Sequence, residues 1–279
     1  MLVNLADILK DAYRGHYAVG AFNGYNYETF AGIITAGTET NTPVILAFGA
    51  KYLQNMSLET TYALAASLGG KGETPVCLHL DHCNDLDTVF RAIRAGFGSV
   101  MYDGSALPFA ENVKNTKLVC RFAKACGVSV EAELGCLAAG EQSHEGSAAD
   151  VAAYTEPAQA AEFVAATGVD ALAVSIGTVH GLYKGEPNLR LDILAAINKL
   201  VAVPLVLHGG SGLAARDIAG CIDQGIAKIN VNTEISVYTV AKTRALLASR
   251  QPHFSELSLS QEEYVKDIVK KYIAFFSRR

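Results

Sequence analysis

Eight short apolar runs, each followed by an Ala-rich segment of helical character, recur along the chain: AVGAFN (18–23), PVILAF (43–48), VCLHLDH (76–82), SVMYDG (99–104), VSVEAELG (128–135), ALAVSIG (171–177), PLVLHGG (204–210) and KINVNT (228–233). Gly, Pro or Asn-Thr-Pro precedes several of them, and these residues stop a helix and start a strand. Strand–helix alternation implies right-handed βαβ units and a parallel sheet. Eight units in 279 residues fit a closed barrel. An open dinucleotide-binding sheet would need G-x-G-x-x-G after its first strand, and AFNGYNYETF has nothing of the kind. The expected fold is α/β: a single (β/α)8 TIM-type barrel domain over residues 1–279, with a helical C-terminal extension at 251–279.

Parity within the runs sorts side chains between two faces. Val76, Leu78 and Leu80 share one face, assigned to the helix layer, while Cys77, His79 and Asp81 point into the barrel. In the same way Val128, Val130 and Ala132 alternate with Ser129, Glu131 and Glu133, and Ile229 and Val231 with Asn230 and Asn232. A polar inward face is costly unless it meets partners, a ligand or a metal. In barrels of this kind the chemistry sits at the C-terminal mouth. Two long loops are expected there, 178–190 and the Gly/Ser/Ala-rich 136–156, which has the length of a mobile lid.

Half of the residues are apolar and 18% are charged, enough for a large core, which excludes global disorder. A net charge of −5, with no basic run or stripe evident along the sequence, argues against nucleic acid or an anionic membrane as partner. No apolar stretch approaches the ~18 residues of a bilayer span, and MLVNLADILKDAY lacks the pattern of a secretory signal. Cys77, Cys83, Cys120, Cys126, Cys136 and Cys221 form no C-x-x-C pair and read as reduced thiols of a cytoplasmic protein.

Three of the seven histidines stand at or just past strand ends: His82, His180 and His208, in LHLDHC, GTVHG and LHGGSG. Three imidazoles converging on one mouth suit a catalytic zinc with a position left open for a substrate oxygen. His16, His144 and His253 sit in polar segments without such a context. Asp81 faces inward beside a proposed ligand, where a carboxylate can exchange a proton with a substrate hydroxyl or orient the ligand. His79 could hydrogen-bond the site from below or pack in the core. Asp103 and Glu133 could hold a second metal position or satisfy the polar interior.

A second constellation suits phosphate. Gly209, Gly210, Ser211, Asn230, Val231, Asn232 and Thr233 cluster at the barrel corner that commonly binds phosphate. Backbone N–H groups and a helix N-terminus hold an anion there without arginine. Gly181 and Lys184 could close over it. Zinc beside phosphate points to enolisation of a small phosphorylated ketone. An imine route would need an inward lysine near a strand end, but Lys228 is read as opening the eighth strand at the wrong end and Lys184 lies in a loop. A metal-dependent barrel hydrolase and a non-catalytic sugar-phosphate-binding protein remain open readings at this point, although AFNGYN lacks the H-x-H usual in the former.

The motifs AFN, P-V-I-L, L-H-L-D-H-C, F-x-E-N-V, V-E-A-E-L-G, G-T-V-H-G-L-Y-K-G-E-P, P-L-V-L-H-G-G-S-G and K-I-N-V-N-T-E, in this order over nearly the whole chain, resemble the class II, zinc-dependent ketose-bisphosphate aldolases of the fructose and tagatose type. The resemblance implies His82, His180 and His208 as zinc ligands and Asp81 as the acid/base at the C4 hydroxyl. It also implies Glu141 for proton exchange at C3 and Asp103 and Glu133 at a second metal position. Gly181, Gly209, Gly210, Ser211 and Asn230 to Thr233 would hold dihydroxyacetone phosphate, and Asn23 would touch substrate. A homodimer or homotetramer is usual in the family, and a monovalent cation could assist phosphate binding.

Two departures stand out. The loop after V-E-A-E-L-G usually carries paired glycines and several acids, and here it reads C-L-A-A-G-E-Q. Many members carry D-P-R after the last barrel helix, its arginine clamping the distal phosphate in a neighbouring subunit, whereas this chain reads Arg250, Gln251, Pro252, His253. An imidazole is a weaker phosphate clamp than a bidentate guanidinium. The implied activity is reversible cleavage of a ketose 1,6-bisphosphate to dihydroxyacetone phosphate and glyceraldehyde 3-phosphate; the alternative is the same cleavage of a ketose 1-phosphate with a non-phosphorylated aldehyde.

Overall fold

The computed structural model describes residues 1–70, 72–143 and 153–277. Ten strands and ten α-helices are assigned within them. The strands are β1 (Val19–Asn23), β2 (Val44–Gly49), β3 (Val76–Cys83), β4 (Ser99–Tyr102), β5 (Ser129–Leu134), β6 (Ala138–Ala139), β7 (Ala171–Val174), β8 (Val179–His180), β9 (Leu205–Leu207) and β10 (Ile226–Val231). The helices are α1 (Leu5–Gly15), α2 (Tyr27–Glu39), α3 (Leu58–Gly69), α4 (Leu86–Ala95), α5 (Phe109–Ala125), α6 (Pro157–Thr167), α7 (Leu191–Leu200), α8 (Ala215–Asp223), α9 (Thr233–Ser249) and α10 (Phe254–Ser277). Eight strands, one in each apolar run, close a parallel barrel in the order β1-β10-β9-β7-β5-β4-β3-β2, while β6 and β8 pair separately above it.

The parity reading holds on both faces. Val76, Leu78, Leu80, Val130, Ala132, Ile229 and Val231 join the shell between barrel and helices. The lower interior is small and apolar, with Ala21, Ile45, Ala47, Cys77, Ala171, Ala173 and Ala227. Helix α1 plugs this end with Leu5, Ile8, Leu9 and Ala12, and its N-terminus is capped by the Asn4 side chain, which accepts from the Asp7 amide at 2.8 Å.

The helix ring closes in an unexpected way. The helical segment foreseen at 251–279 is present as α10, but it occupies the eighth place in the ring, between α8 and α2. Its Val265, Val269, Tyr272 and Phe276 are buried, and Phe276 stacks on Phe22 of β1. Helix α9, which follows the eighth barrel strand, instead stands outside against α10, with Val240 and Leu247 more than half exposed. All six cysteines are free; Cys77, Cys83 and Cys221 are buried and Cys126 is exposed. A basic stripe does exist, contrary to the linear reading: Lys114, Lys117, Arg121 and Lys124 recur at helical spacing along α5. Part of the foreseen lid, residues 144–152 with His144, lies outside the described residues.

Close approach of α10 to α2 depends on Gly32, where a Cβ would sit 2.7 Å from the Glu262 carbonyl oxygen and 2.8 Å from the Val265 Cβ. Gly32→Val is expected to destabilise the protein by about 1–3 kcal/mol through overpacking, read as a lower urea midpoint at unchanged slope.

Candidate active site

Consecutive strand residues point to opposite faces, so Asp81 and His82 cannot both face the barrel mouth from a regular strand. The pairing of β3 with β4 slips between Leu80 and Cys83, and His82 takes a left-handed backbone, φ 42°. This kink turns the imidazole back over the mouth. Asp81 stays in the regular inward register, fully buried, and accepts from Asn23 Nδ2 at 2.9 Å and Asn230 Nδ2 at 3.0 Å. Asn23 therefore sits against the carboxylate.

His180, on β8, and His208, directly after β9, complete a cluster with His82. Their ring centroids are 4.5–6.1 Å apart, and one nitrogen of each lies within 4.8 Å of the others. Two rings are fixed from behind: His82 Nδ1 meets Asp103 Oδ2 at 2.9 Å, and His208 Nε2 meets Glu131 Oε1 at 3.0 Å. That leaves His82 Nε2 and both nitrogens of His180 buried without hydrogen-bond partners, while His208 Nδ1 lies 3.3 Å from Glu133 Oε2. Each such atom costs about 1–3 kcal/mol if nothing meets it. Three inward imidazole nitrogens, two braced by carboxylates, form a donor set that fits a divalent metal with nitrogen preference. His82, Asp103 and Glu133 form a second, overlapping group of ligand atoms.

Beneath the histidines lies a charged layer that the linear reading did not assign to the site. Lys228 reaches across the barrel to Glu131 at 2.8 Å, both fully buried. His79 Nδ1 bonds Ser99 Oγ at 2.9 Å in the neighbouring strand. The expectation that Lys228 opens its strand at the wrong end is corrected: β10 begins at Ile226, so Lys228 is an interior strand residue. Its parity with Asn230, and that of Glu131 with Glu133, was the available signal.

The residues expected to bind phosphate lie on the loops after β8 and β9 and at the end of β10. Gly209 has φ 73°, and any Cβ there would collide with the Val179 carbonyl oxygen. Gly181 has φ 109°, with space for a Cβ blocked by the Glu141 carbonyl oxygen at 2.5 Å. Both are positions that only glycine fills without strain. Ser211 Oγ accepts from the Glu234 amide at 3.3 Å; α9 starts at Thr233 with no capping bond from Asn232, whose Nδ2 donates to Tyr52 at 3.0 Å. Gly210 donates its N–H to the Asn230 carbonyl at 2.9 Å, tying the β9 loop to β10 beside Val231. Glu141 is anchored by reciprocal backbone bonds with Leu182, at 2.9 and 2.8 Å, and its side chain is exposed. Lys184 is exposed and outside the buried cluster.

Charge is graded across the site. Burial would raise Asp81, but the positive neighbours His82 and Lys228 hold it well below the usual carboxylate range. Burial likewise opposes ionisation of Glu131, yet Lys228 brings it to about 2. Burial, then Asp103, raises Glu133. Burial, reinforced by His82 and His208, lowers His180 far below the ordinary imidazole value. A cavity of about 390 Å³ opens beside His82 and Asp103, also lined by Lys51, Asn84 and Thr88. Arg250, by contrast, is exposed and ion-paired with Glu256 at 2.6 Å, and His253 bonds Ser255 at 2.7 Å.

The family model for class II fructose-bisphosphate aldolase matches residues 3–279. The sulfofructosephosphate aldolase of Alkalicoccus urumqiensis is 40% identical over 96% of this chain and 94% of its own. The crystal structure of the YdjI aldolase from Escherichia coli K12 is 37% identical, covers 99% of this chain and 97% of its own, and superposes with a TM-score of 0.88. A structure described as a candidate fructose-1,6-bisphosphate aldolase from Coccidioides immitis is 29% identical, with a TM-score of 0.91 over 98% of this chain and 96% of its own. Together with the barrel and the histidine cluster at its mouth, these matches mean that the chain belongs to the class II fructose-bisphosphate aldolase family and is a carbon–carbon lyase.

Proposed function

We propose that this enzyme uses zinc and reversibly cleaves the C3–C4 bond of a ketose 1-phosphate to dihydroxyacetone phosphate and an aldehyde. The carrying observation is the convergence of three imidazoles, one nitrogen of each within 4.8 Å of the others, beside a carboxylate held ionised by its surroundings. His82, His180 and His208 would hold the ion; when bound, zinc polarises the ketose carbonyl and stabilises the negative charge that develops on cleavage.

The chain's own groups do the rest. Asp81 accepts the proton of the C4 hydroxyl as the bond breaks and returns it in the condensation direction. Its two amide donors, Asn23 and Asn230, aim it and leave it no freedom to rotate. The C1 phosphate rests on Gly181, Gly209, Gly210, Ser211 and the Asn230–Thr233 segment, whose backbone shape needs glycine, and Lys184 supplies charge from the rim. Glu141, from the loop above Gly181, exchanges the proton at C3. Asp103 and Glu133 brace the ligands and offer a second metal position, and a monovalent cation assists at the phosphate.

The distal end of the substrate leads towards the cavity beside His82, whose lining includes Lys51. A ketose 1,6-bisphosphate of fructose or tagatose type is the first substrate to test. The name of the Alkalicoccus relative supports a second one, a ketose 1-phosphate with a sulfonated distal end. The paired, exposed Arg250 favours neither through the usual arginine clamp. We place the enzyme in the cytoplasm as a homodimer or homotetramer. Exposed Val240, Leu247, Phe254 and Leu259 on the α9–α10 pair support association, and no helix among the described residues is long and apolar enough to cross a membrane.

Retro-aldol release of dihydroxyacetone phosphate from fructose 1,6-bisphosphate, the sulfonated analogue and fructose 1-phosphate tests this reading. Activity should vanish with EDTA and return with zinc; activity that persists after metal analysis finds no bound ion would sink it. Asp81→Asn should lower kcat by about 10²–10⁴-fold with metal content unchanged. Glu131→Gln combined with Lys228→Met, which removes both partners of the buried ion pair, should weaken metal binding by roughly 10–100-fold, measured by chelator competition. Unaltered affinity in that pair would show that Glu131 does not orient His208.

A further inference from the structure

A cavity of about 790 Å³ opens far from the histidines, at the N-terminal end of the barrel. One wall is α5, which presents Lys114, Lys117, Arg121 and Lys124 to it. The facing wall holds Asn4 and Ala6 at the start of α1 and Gly168 after α6, and Leu118 and Val128 supply apolar surface. Spacings of three, four and three residues put the four cations on successive turns of one face, along about 15 Å of helix. Like charges three and four apart disfavour a helix. No carboxylate among the described residues pairs with any of the four. The one acidic group in the wall, Asp170, accepts from the Val130 amide at 2.8 Å and feels the charge of Lys124 alone of the four, without an ion pair to it. The chain is net acidic, so this density of positive charge is a local feature and not a reflection of composition.

We propose that this groove is a second ligand site, separate from the catalytic mouth, for a nucleoside di- or triphosphate. A row of point charges with one guanidinium suits a phosphate chain, since arginine can grip a phosphate with two parallel hydrogen bonds and lysine adds charge without fixed geometry. Leu118 and Val128 offer a surface for the flat face of a base. The volume falls within the usual range of small-molecule sites. Neither face of the proposal depends on the zinc chemistry above, because the walls share no residue with the catalytic cluster.

The probe is a fluorescent N-methylanthraniloyl ATP, followed by anisotropy with the zinc-loaded enzyme at 50 and 200 mM salt. Saturable binding is expected, displaced by unlabelled ATP, weaker at high salt, and indifferent to saturating dihydroxyacetone phosphate. Lys117→Glu with Arg121→Glu, two exposed positions, should weaken it at least tenfold while retro-aldol turnover and thermal midpoint stay unchanged. Equal affinity in the charge-reversed variant, or displacement by dihydroxyacetone phosphate, would overturn the site. Displacement by inorganic tripolyphosphate as readily as by ATP would overturn the assignment to a nucleotide.

Discussion

The ion pair between Lys228 and Glu131, 2.8 Å apart and shut off from solvent, is the interaction on which the catalytic mouth rests. It joins opposite walls of the barrel interior. Glu131 in turn holds His208 Nε2, which fixes the ring so that Nδ1 faces the other two histidines. A buried pair of this kind contributes little net stability compared with a hydrophobic replacement, but loss of one partner costs about 3–5 kcal/mol. Its value is geometric. A neutral hydrophobic layer here could support the barrel, yet it could not dictate which imidazole nitrogen points upward.

The barrel interior divides its tasks by height. Small apolar side chains and the α1 plug fill the bottom, where nothing polar has to be satisfied. The Lys228–Glu131 and His79–Ser99 pairs occupy the middle. At the top, polar atoms are left without partners, and a ligand has to meet them. Asn23 and Asn230 each donate to one oxygen of Asp81, and its Oδ1 also lies 3.9 Å from His79 Nε2. The interior thus passes from an apolar base, through a charged layer in which His79 Nε2 still lacks a hydrogen-bond partner, to the open histidine cluster.

Much of this was legible in the sequence because period and parity are local properties. Each of the eight runs became a barrel strand, and the alternation in VCLHLDH and VSVEAEL put Asp81, Glu131 and Glu133 on the inward face. Three features were not legible. The place of α10 in the helix ring depends on Gly32 and on contacts with β1 some 250 residues away in sequence, and helical periodicity says nothing about which helix covers which strand. Lys228 looks like a strand-opening residue when the strand is counted from 228, although Gly225, with φ 100°, stands directly before the true start at Ile226. The stripe on α5 is spread over eleven residues and appears only when the helix is wound.

The re-aiming of His82 was the least legible feature and explains the most about the site. Adjacent residues of a strand diverge, yet a proton acceptor and a metal-binding nitrogen are useful together only on the same side. Separating them by two residues would keep both inward in a regular strand, but would put them about 6–7 Å apart along the barrel axis, at different heights. The left-handed turn at His82 brings neighbours in sequence to one level of the mouth. The strain of a positive φ in a non-glycine residue, about 1–3 kcal/mol, is held by the Asp103 hydrogen bond on one side and by the resumed β4 pairing at Cys83 on the other. Backbone geometry, and not a choice among rotamers, therefore sets the relation between Asp81 and the histidine cluster.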